Sequence, residues 1–184
     1  MKSESTVKYI LRLTLTLLLI CAAVAGILAA VNSITAPIIA ASKEAKTQEA
    51  IAAVLPGGGE KIDFAGADAT GMVLEVYASE TGYAVKVAPS GFGGAITMMV
   101  GVSADGQVLG ISVISHAETP GLGAVASQNT DKGVAFRDQF VGLIAGITIG
   151  GGENQVDSLS GATISTQAIV DGVNAALDCA ANLG

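Results

Sequence analysis

The stretch Asp157-Ser158-Leu159-Ser160-Gly161-Ala162-Thr163-Ile164-Ser165-Thr166 places one carboxylate, one glycine and five hydroxyls in ten residues. A helix follows it. Ile169, Val173, Ala176, Leu177 and Ala180 recur at helical steps, so an amphipathic helix begins near Thr166. The N-terminus of a helix offers free backbone N–H groups and a partial positive charge. A glycine beside it lets the backbone approach a phosphate closely. Read locally, the string is either a phosphate seat with hydroxyls in it or a turn with a Ser/Thr cap.

Upstream of this stretch the period is two. Residues 72–77 and 83–87 read as paired strands around Glu80-Thr81-Gly82. Residues 95–102 and 108–114 form a second pair joined by Ala104-Asp105-Gly106, where Asp-Gly is a strong hairpin signal. Between the pairs lies Ser90-Gly91-Phe92-Gly93-Gly94, and directly after the last of these strands comes His116-Ala117-Glu118-Thr119-Pro120-Gly121-Leu122-Gly123. Residues 131–140 suit a short helix with Phe136 and Phe140 on its inner face, and residues 144–149 read as a final strand. Strand groups followed by helices indicate an α+β fold with a mostly antiparallel sheet and flanking helices.

The N-terminal part has a different character. Residues 13–31 carry no charge and are dominated by Leu, Ile, Val and Ala. Nineteen residues at ~1.5 Å each approach the ~30 Å hydrocarbon core of a bilayer. Lys2, Lys8 and Arg12 precede the run against Glu4 alone, and no Lys or Arg follows until Lys43. The positive-inside rule therefore puts residues 1–12 in the cytoplasm and everything after Val31 outside. Ala23-Val24-Ala25 resembles a signal-peptide exit, but the apolar run continues past it, which favours an uncleaved anchor. Asn32-Ser33-Ile34-Thr35-Ala36-Pro37 reads as a break and helix restart. A stalk helix follows within residues 32–58, with Ile38, Ala41, Ala45, Ala52 and Leu55 on one face and Pro56-Gly57-Gly58-Gly59 at its end. Residues 59–184 make the globular domain.

Composition sets outer limits. The chain has 184 residues and a net charge of −7, which argues against a nucleic-acid partner. Mean hydropathy is +0.60, high for a purely soluble protein. The two cysteines, Cys21 and Cys179, form no Cys-x-x-Cys motif, and His116 is the single histidine, so no metal site is expected.

The segment Asp157-x-x-Ser160-Gly161-Ala162-Thr163 resembles the flavinylation motif Asp-x-x-(Ser/Thr)-Gly-Ala-Thr. That motif belongs to an FMN-binding domain found in two settings: the G subunit of the Rnf electron-transport complex, and the C subunit of the sodium-pumping NADH:quinone reductase. The run His-x-Glu-Thr-Pro-Gly-Leu-Gly from His116 is characteristic of the same domain. Gly91-Phe92-Gly93-Gly94 resembles its Gly-Tyr-Gly-Gly stretch, with Phe92 in place of the tyrosine. Length, and the Asn-x-x-Thr-x-Pro pattern from Asn32, favour the Rnf member of the pair.

The resemblance implies FMN joined through its phosphate to Thr163 by a flavin transferase, with Asp157, Ser160, Gly161 and Ala162 forming the motif. It implies ring contacts from Thr119, Pro120, Gly121, Leu122 and Gly123, a loop oriented by Glu118 and bordered by His116, and close backbone approach at Gly93 and Gly94. Thr163 is then a tether, and no catalytic nucleophile is assigned. The implied protein is an electron-carrier subunit, not catalytic alone, of a bacterial cell-membrane ferredoxin:NAD oxidoreductase that moves sodium or protons. Its partners are the A, B, C, D and E type subunits. Two other classes remain open: a non-redox FMN-binding sensory or assembly module, and a stand-alone secreted flavin reductase.

Overall fold

A computed structural model describes residues 3–183, with side chains from Lys8 onward. Lys2 and the side chain of Glu4, both part of the N-terminal charge balance, lie outside the described residues. The first element is one helix, α1, Ser3–Val54. The expected break at residues 32–37 is absent, and Pro37 lies inside the helix. Proline removes one backbone bond, but strong helix formers flank it and neighbouring hydroxyls bond back to the helix. Ser33 Oγ donates to the Ala30 carbonyl and Thr35 Oγ1 to that of Val31, each at 2.8 Å.

The chain divides into two compact units, residues 1–45 and 46–184. The first is helix alone. Its mean hydropathy peaks at 2.6 over an 18-residue window, and Leu17, Leu18, Ile20, Ile27 and Leu28 are all more than half exposed. No other part of the described chain covers them.

The second unit contains the last turns of α1 and a five-stranded antiparallel sheet. The strands are β1 Glu60–Ile62, β2 Val73–Ser79, β3 Gly82–Val87, β4 Thr97–Ser103 and β5 Val108–Ser115, in the order β1-β2-β3-β4-β5. The two hairpins follow the sequence signals. Ser79 pairs with Gly82 across Glu80-Thr81, and the Gly106 amide closes the Asp105-Gly106 turn on the Ser103 carbonyl at 3.0 Å. β1 carried no sequence signal. A 3-10 helix, Gly123–Ser127, and α2, Asp131–Asp138, come next. Thr130 caps α2 by accepting the Gly133 amide, and Phe136 meets Phe140 edge-to-face at 5.5 Å.

The expected strand at residues 144–149 shrinks to β6, Thr148–Ile149, paired in parallel with β7, Gln155–Val156. Side-chain amides take the backbone bonds that a strand partner would have taken. Asn154 Oδ1 accepts the Ile144 amide at 3.0 Å, and Asn174 Oδ1 accepts those of Gly146 and Ile147. The final helix, α3, spans Thr163–Leu183 and starts three residues before the expected position.

Both sheet faces are covered. α3 packs Ile169, Val170, Val173 and Leu177 against Val85, Val87, Met98 and Val100. Each of those four α3 side chains is at most 3% exposed, contributing about 1.5–3 kcal/mol. On the other face Ala50, Ile51 and Val54 of α1, with Leu55 just after it, meet Tyr77, Ala84 and Met99. This apolar face differs from the expected one, since Ala52 is exposed and Ile51 and Val54 are buried. The contact is close: any side chain at Gly101 would overlap the Val54 carbonyl.

Beside that contact Glu75 accepts from Lys86 at 2.8 Å and from Lys61, while Lys86 also reaches Thr47 of α1. Partial burial alone would raise the Glu75 pKa, but hydrogen bonds from Lys61 and Lys86, with their charges, lower it from 4.5 to about 2. A depressed folded-state pKa contributes stability above the unfolded value, and that contribution fades as pH falls from about 4.5 toward 2. Lys61 is 58% exposed, so solvent screening limits the effect to roughly 1–2 kcal/mol. Thermal unfolding of the detergent-solubilised chain should show Glu75→Gln less stable than wild type at pH 7, with the gap narrowing as pH falls from about 4.5 toward 2.

Candidate functional site

A cleft of about 390 Å³ opens where three separated segments meet. The Gly91–Gly94 loop contributes Phe92. The loop after β5 contributes Glu118, Thr119, Leu122 and Gly123. The start of α3 contributes Gly161 to Ser165. The size lies in the range of small-molecule sites.

Glu118 joins the three. It is 6% exposed, and it uses both carboxylate oxygens. Oε1 accepts the Gly93 amide at 2.9 Å, and Oε2 accepts the Ser165 hydroxyl. A side chain at Gly93 would strike the Ala117 carbonyl, so this loop lies against the Glu118 loop only as glycine. His116 stands behind the arrangement. Its Nδ1 accepts the Glu118 amide at 3.1 Å, which puts the proton of a neutral ring on Nε2. Nε2 then donates to Ser127 Oγ at 2.8 Å, and Ser127 donates to the Ala124 carbonyl.

The first turn of α3 is fixed from below. Thr166 is fully buried; its hydroxyl donates to the Ala162 carbonyl and accepts the Leu159 amide. Gly161, at φ +72°, turns the chain into the helix in a conformation that a side chain would strain. Thr163 is the first helical residue and is exposed. The amides of Thr163, Ile164 and Ser165 have no intrahelical acceptor, because they fall in the first turn.

Of the residues singled out from sequence, Glu118, Thr119, Leu122, Gly123, Gly161, Ala162 and Thr163 line this cleft. Gly93 supports it through Glu118, and Gly94 closes the same tight loop by accepting the Gly91 amide at 2.8 Å. Pro120 and Gly121 are exposed, and neither is among the lining residues. Asp157 and Ser160 are exposed too; the Asp157 amide donates to Gln139 Oε1. His116 faces a second cleft, along the edge of β5. Phe92, Ile164 and Ser165 line the first cleft without having been singled out as contacts. Ile164 had a readable signal, a large apolar residue directly after the motif threonine, and the structure leaves it 59% exposed. The role of Ser165 depends on a partner 47 residues away, which no local pattern reveals.

Residues 91–178 match the FMN-binding domain, and residues 1–54 match the RnfG N-terminal region. The G subunit of the proton-translocating ferredoxin:NAD(+) oxidoreductase complex of Clostridium ljungdahlii is 31% identical, covering 92% of this chain and 90% of that protein. The chain belongs to the RnfG family. The G subunit of an ion-translocating oxidoreductase complex from Methanosarcina acetivorans is also 31% identical, over 93% of this chain and 94% of its own. The G subunit of the Na(+)-translocating complex of Acetobacterium woodii is 38% identical over 60% of this chain and 57% of its own. Among the described residues one helix is long and apolar enough to cross a membrane, and an FMN-binding domain follows it.

The cleft fits that cofactor. Phe92, Leu122 and Ile164 offer apolar surface to a flat ring, and all three are well exposed at its mouth. The first-turn amides of α3 and the Thr163 hydroxyl suit a phosphate.

Removing Glu118 should test the clamp. Glu118→Ala leaves a buried hydroxyl and an amide unpaired, at a cost of about 2–4 kcal/mol. Glu118→Gln keeps both bonds, with its carbonyl facing Gly93 and its amide facing Ser165, but removes a negative charge at the cleft. The glutamine variant should unfold near the wild-type temperature and hold flavin at a raised reduction potential. An unchanged potential would place the carboxylate too far from the ring to act on it.

Proposed function

We propose that this chain is the membrane-anchored flavoprotein electron carrier of an Rnf-type ferredoxin:NAD oxidoreductase complex, carrying FMN through a phosphoester to Thr163. The observation that supports it most directly is the placement of Thr163. Its side chain is exposed, it opens α3, and it lies in a cleft whose other walls are apolar or hydrogen-bonding. Bound FMN supplies the one- and two-electron chemistry, and the protein supplies binding and electrostatics.

The chain's own groups divide the work. Phe92, Leu122 and Ile164 pack against the ring and exclude water from one side of it. Thr119 and the loop amides beside it offer hydrogen bonds to the ring's polar edge. Glu118 fixes the spacing between those walls and the helix. The first-turn amides of α3 hold the phosphate. Thr163 would hold the group: its hydroxyl oxygen would replace the leaving group of an activated flavin phosphate brought by a flavin transferase, with the hydroxyl proton passing to a base of that transferase or to water. Covalent attachment keeps the cofactor from being lost outside the cell. Related complexes are named for proton and for sodium translocation, and one membrane helix, the one candidate among the described residues, cannot form an ion pathway by itself. Ion movement therefore belongs to the partners, the A, B, C, D and E type subunits.

Two experiments test this reading. Thr163→Ala, co-expressed with a flavin transferase, should lose in-gel flavin fluorescence, whereas Ser158→Ala should keep it. Ser165 and Thr166 are poor controls, because both are buried parts of the clamp. Fluorescence retained by the Thr163 variant would remove the attachment site. For orientation, Lys8 and Arg12 before the apolar run put the N-terminus inside and the flavin domain outside. A cysteine at Asp105, in a background lacking Cys21 and Cys179, should react with an impermeant maleimide in intact cells. Reaction only after lysis would reverse the topology.

A further inference from the structure

β5 ends the sheet on the side away from β1, so one of its edges has no strand beside it. At its start Val108 is served by the segment after α2: its amide donates to the Leu143 carbonyl at 2.9 Å, and its carbonyl accepts the Gly142 amide at 2.8 Å. From residue 111 to residue 115 the backbone bonds only with β4 among the described residues. Two of the usual guards of an edge strand, charge and proline, are missing here, and the register irregularities of β5 fall at Leu109 and Ile114. Gly110-Ile111-Ser112-Val113-Ile114-Ser115 holds neither a charge nor a proline.

This edge lies in a groove rather than on open surface. The groove is about 650 Å³, and residues 111–116 line it consecutively. Lys46 and Glu49 of α1 wall one side, and Ser127 and Arg137 the other. Arg137 is held in place by the carbonyls of Ala126 and Gln128 and by Asn129 Oδ1, so its charge is fixed there. The walls thus carry two cations against one carboxylate, in a chain whose net charge is −7.

We propose that an extended, acidic segment of another subunit adds to β5 as a sixth strand, with its carboxylates toward Lys46 and Arg137. This rests on the reading of the chain as a complex subunit. The free edge offers a strand a row of amides and carbonyls to pair with, which a helix could not match. The cations select its charge. A second copy of this chain is a poor occupant, because it would bring the same two cations to the same groove. The added strand would end beside His116, whose ring holds the Glu118 backbone. A docked subunit would therefore sit one side chain away from the flavin clamp.

Hydrogen exchange of the full-length chain, alone in detergent and in the assembled complex, tests this directly. The amides of residues 111–115 that face away from β4 should exchange at least tenfold more slowly in the complex, while β1, at the opposite edge, should change little. Lys46→Glu, a surface change, should reduce that protection. A photo-crosslinker at Ser115, which is exposed, should yield an adduct with an acidic stretch of another subunit. Unchanged exchange at 111–115 in an intact, flavin-bearing complex would overturn the proposal, as would an adduct only with lipid or with a second copy. Failure of the chain to co-purify with any other subunit would instead overturn the complex reading, and this proposal with it.

Discussion

The bond set of the buried Glu118 carboxylate is the constraint on which the site depends. One oxygen takes an amide 25 residues upstream and the other takes a hydroxyl 47 residues downstream. A carboxylate withdrawn from water is tolerable only when both oxygens are occupied by donors. Gly93 and Ser165 therefore have to be where they are, and Phe92 and Thr163, close to them in the chain, are carried to the cleft with them. The spacing between an apolar wall and an exposed threonine is set by a group that need not touch the cofactor itself.

The scaffold makes that convergence rigid. The sheet is buried on both faces, by α3 and by the last turns of α1. Its strand β4 is buried at five consecutive positions, Met98 to Val102. The Gly91–Gly94 loop and the loop after β5 both leave this sheet, and α3 packs across it. Three segments that leave one rigid layer can hold a cleft without bonding extensively to each other. Few bonds beyond those of Glu118 are needed. The same two-sided packing explains why a membrane helix is continuous with a folded core: Thr47, Ala50, Ile51 and Val54 are core residues of the second unit as well as turns of α1.

Much of this was legible in the sequence. Asp105-Gly106 marked a hairpin, and the two-residue alternation marked four of the five sheet strands, because turn chemistry and burial act locally. The Asp157–Thr163 motif and the His116–Gly123 run identified the family and most of the cleft lining. What stayed hidden depended on distant partners. Ser165 reads as one more hydroxyl until Glu118 is seen beneath it. Residues 144–147 have the composition of a strand, yet Asn154 and Asn174 take their amides. Residues 32–37 read as a break and helix restart, yet α1 runs through Pro37 without one. β1 is three residues long, too short to carry a period.

The central claim is that FMN is held covalently at the start of α3. Peptide mass mapping of the native protein, extracted from its membrane without acid or base treatment, tests this most directly. The account predicts that the peptide containing Thr163 carries the mass of an FMN phosphoester, with fragmentation placing it on that threonine. A Thr163 peptide of unmodified mass, or flavin released intact on denaturation, would contradict it.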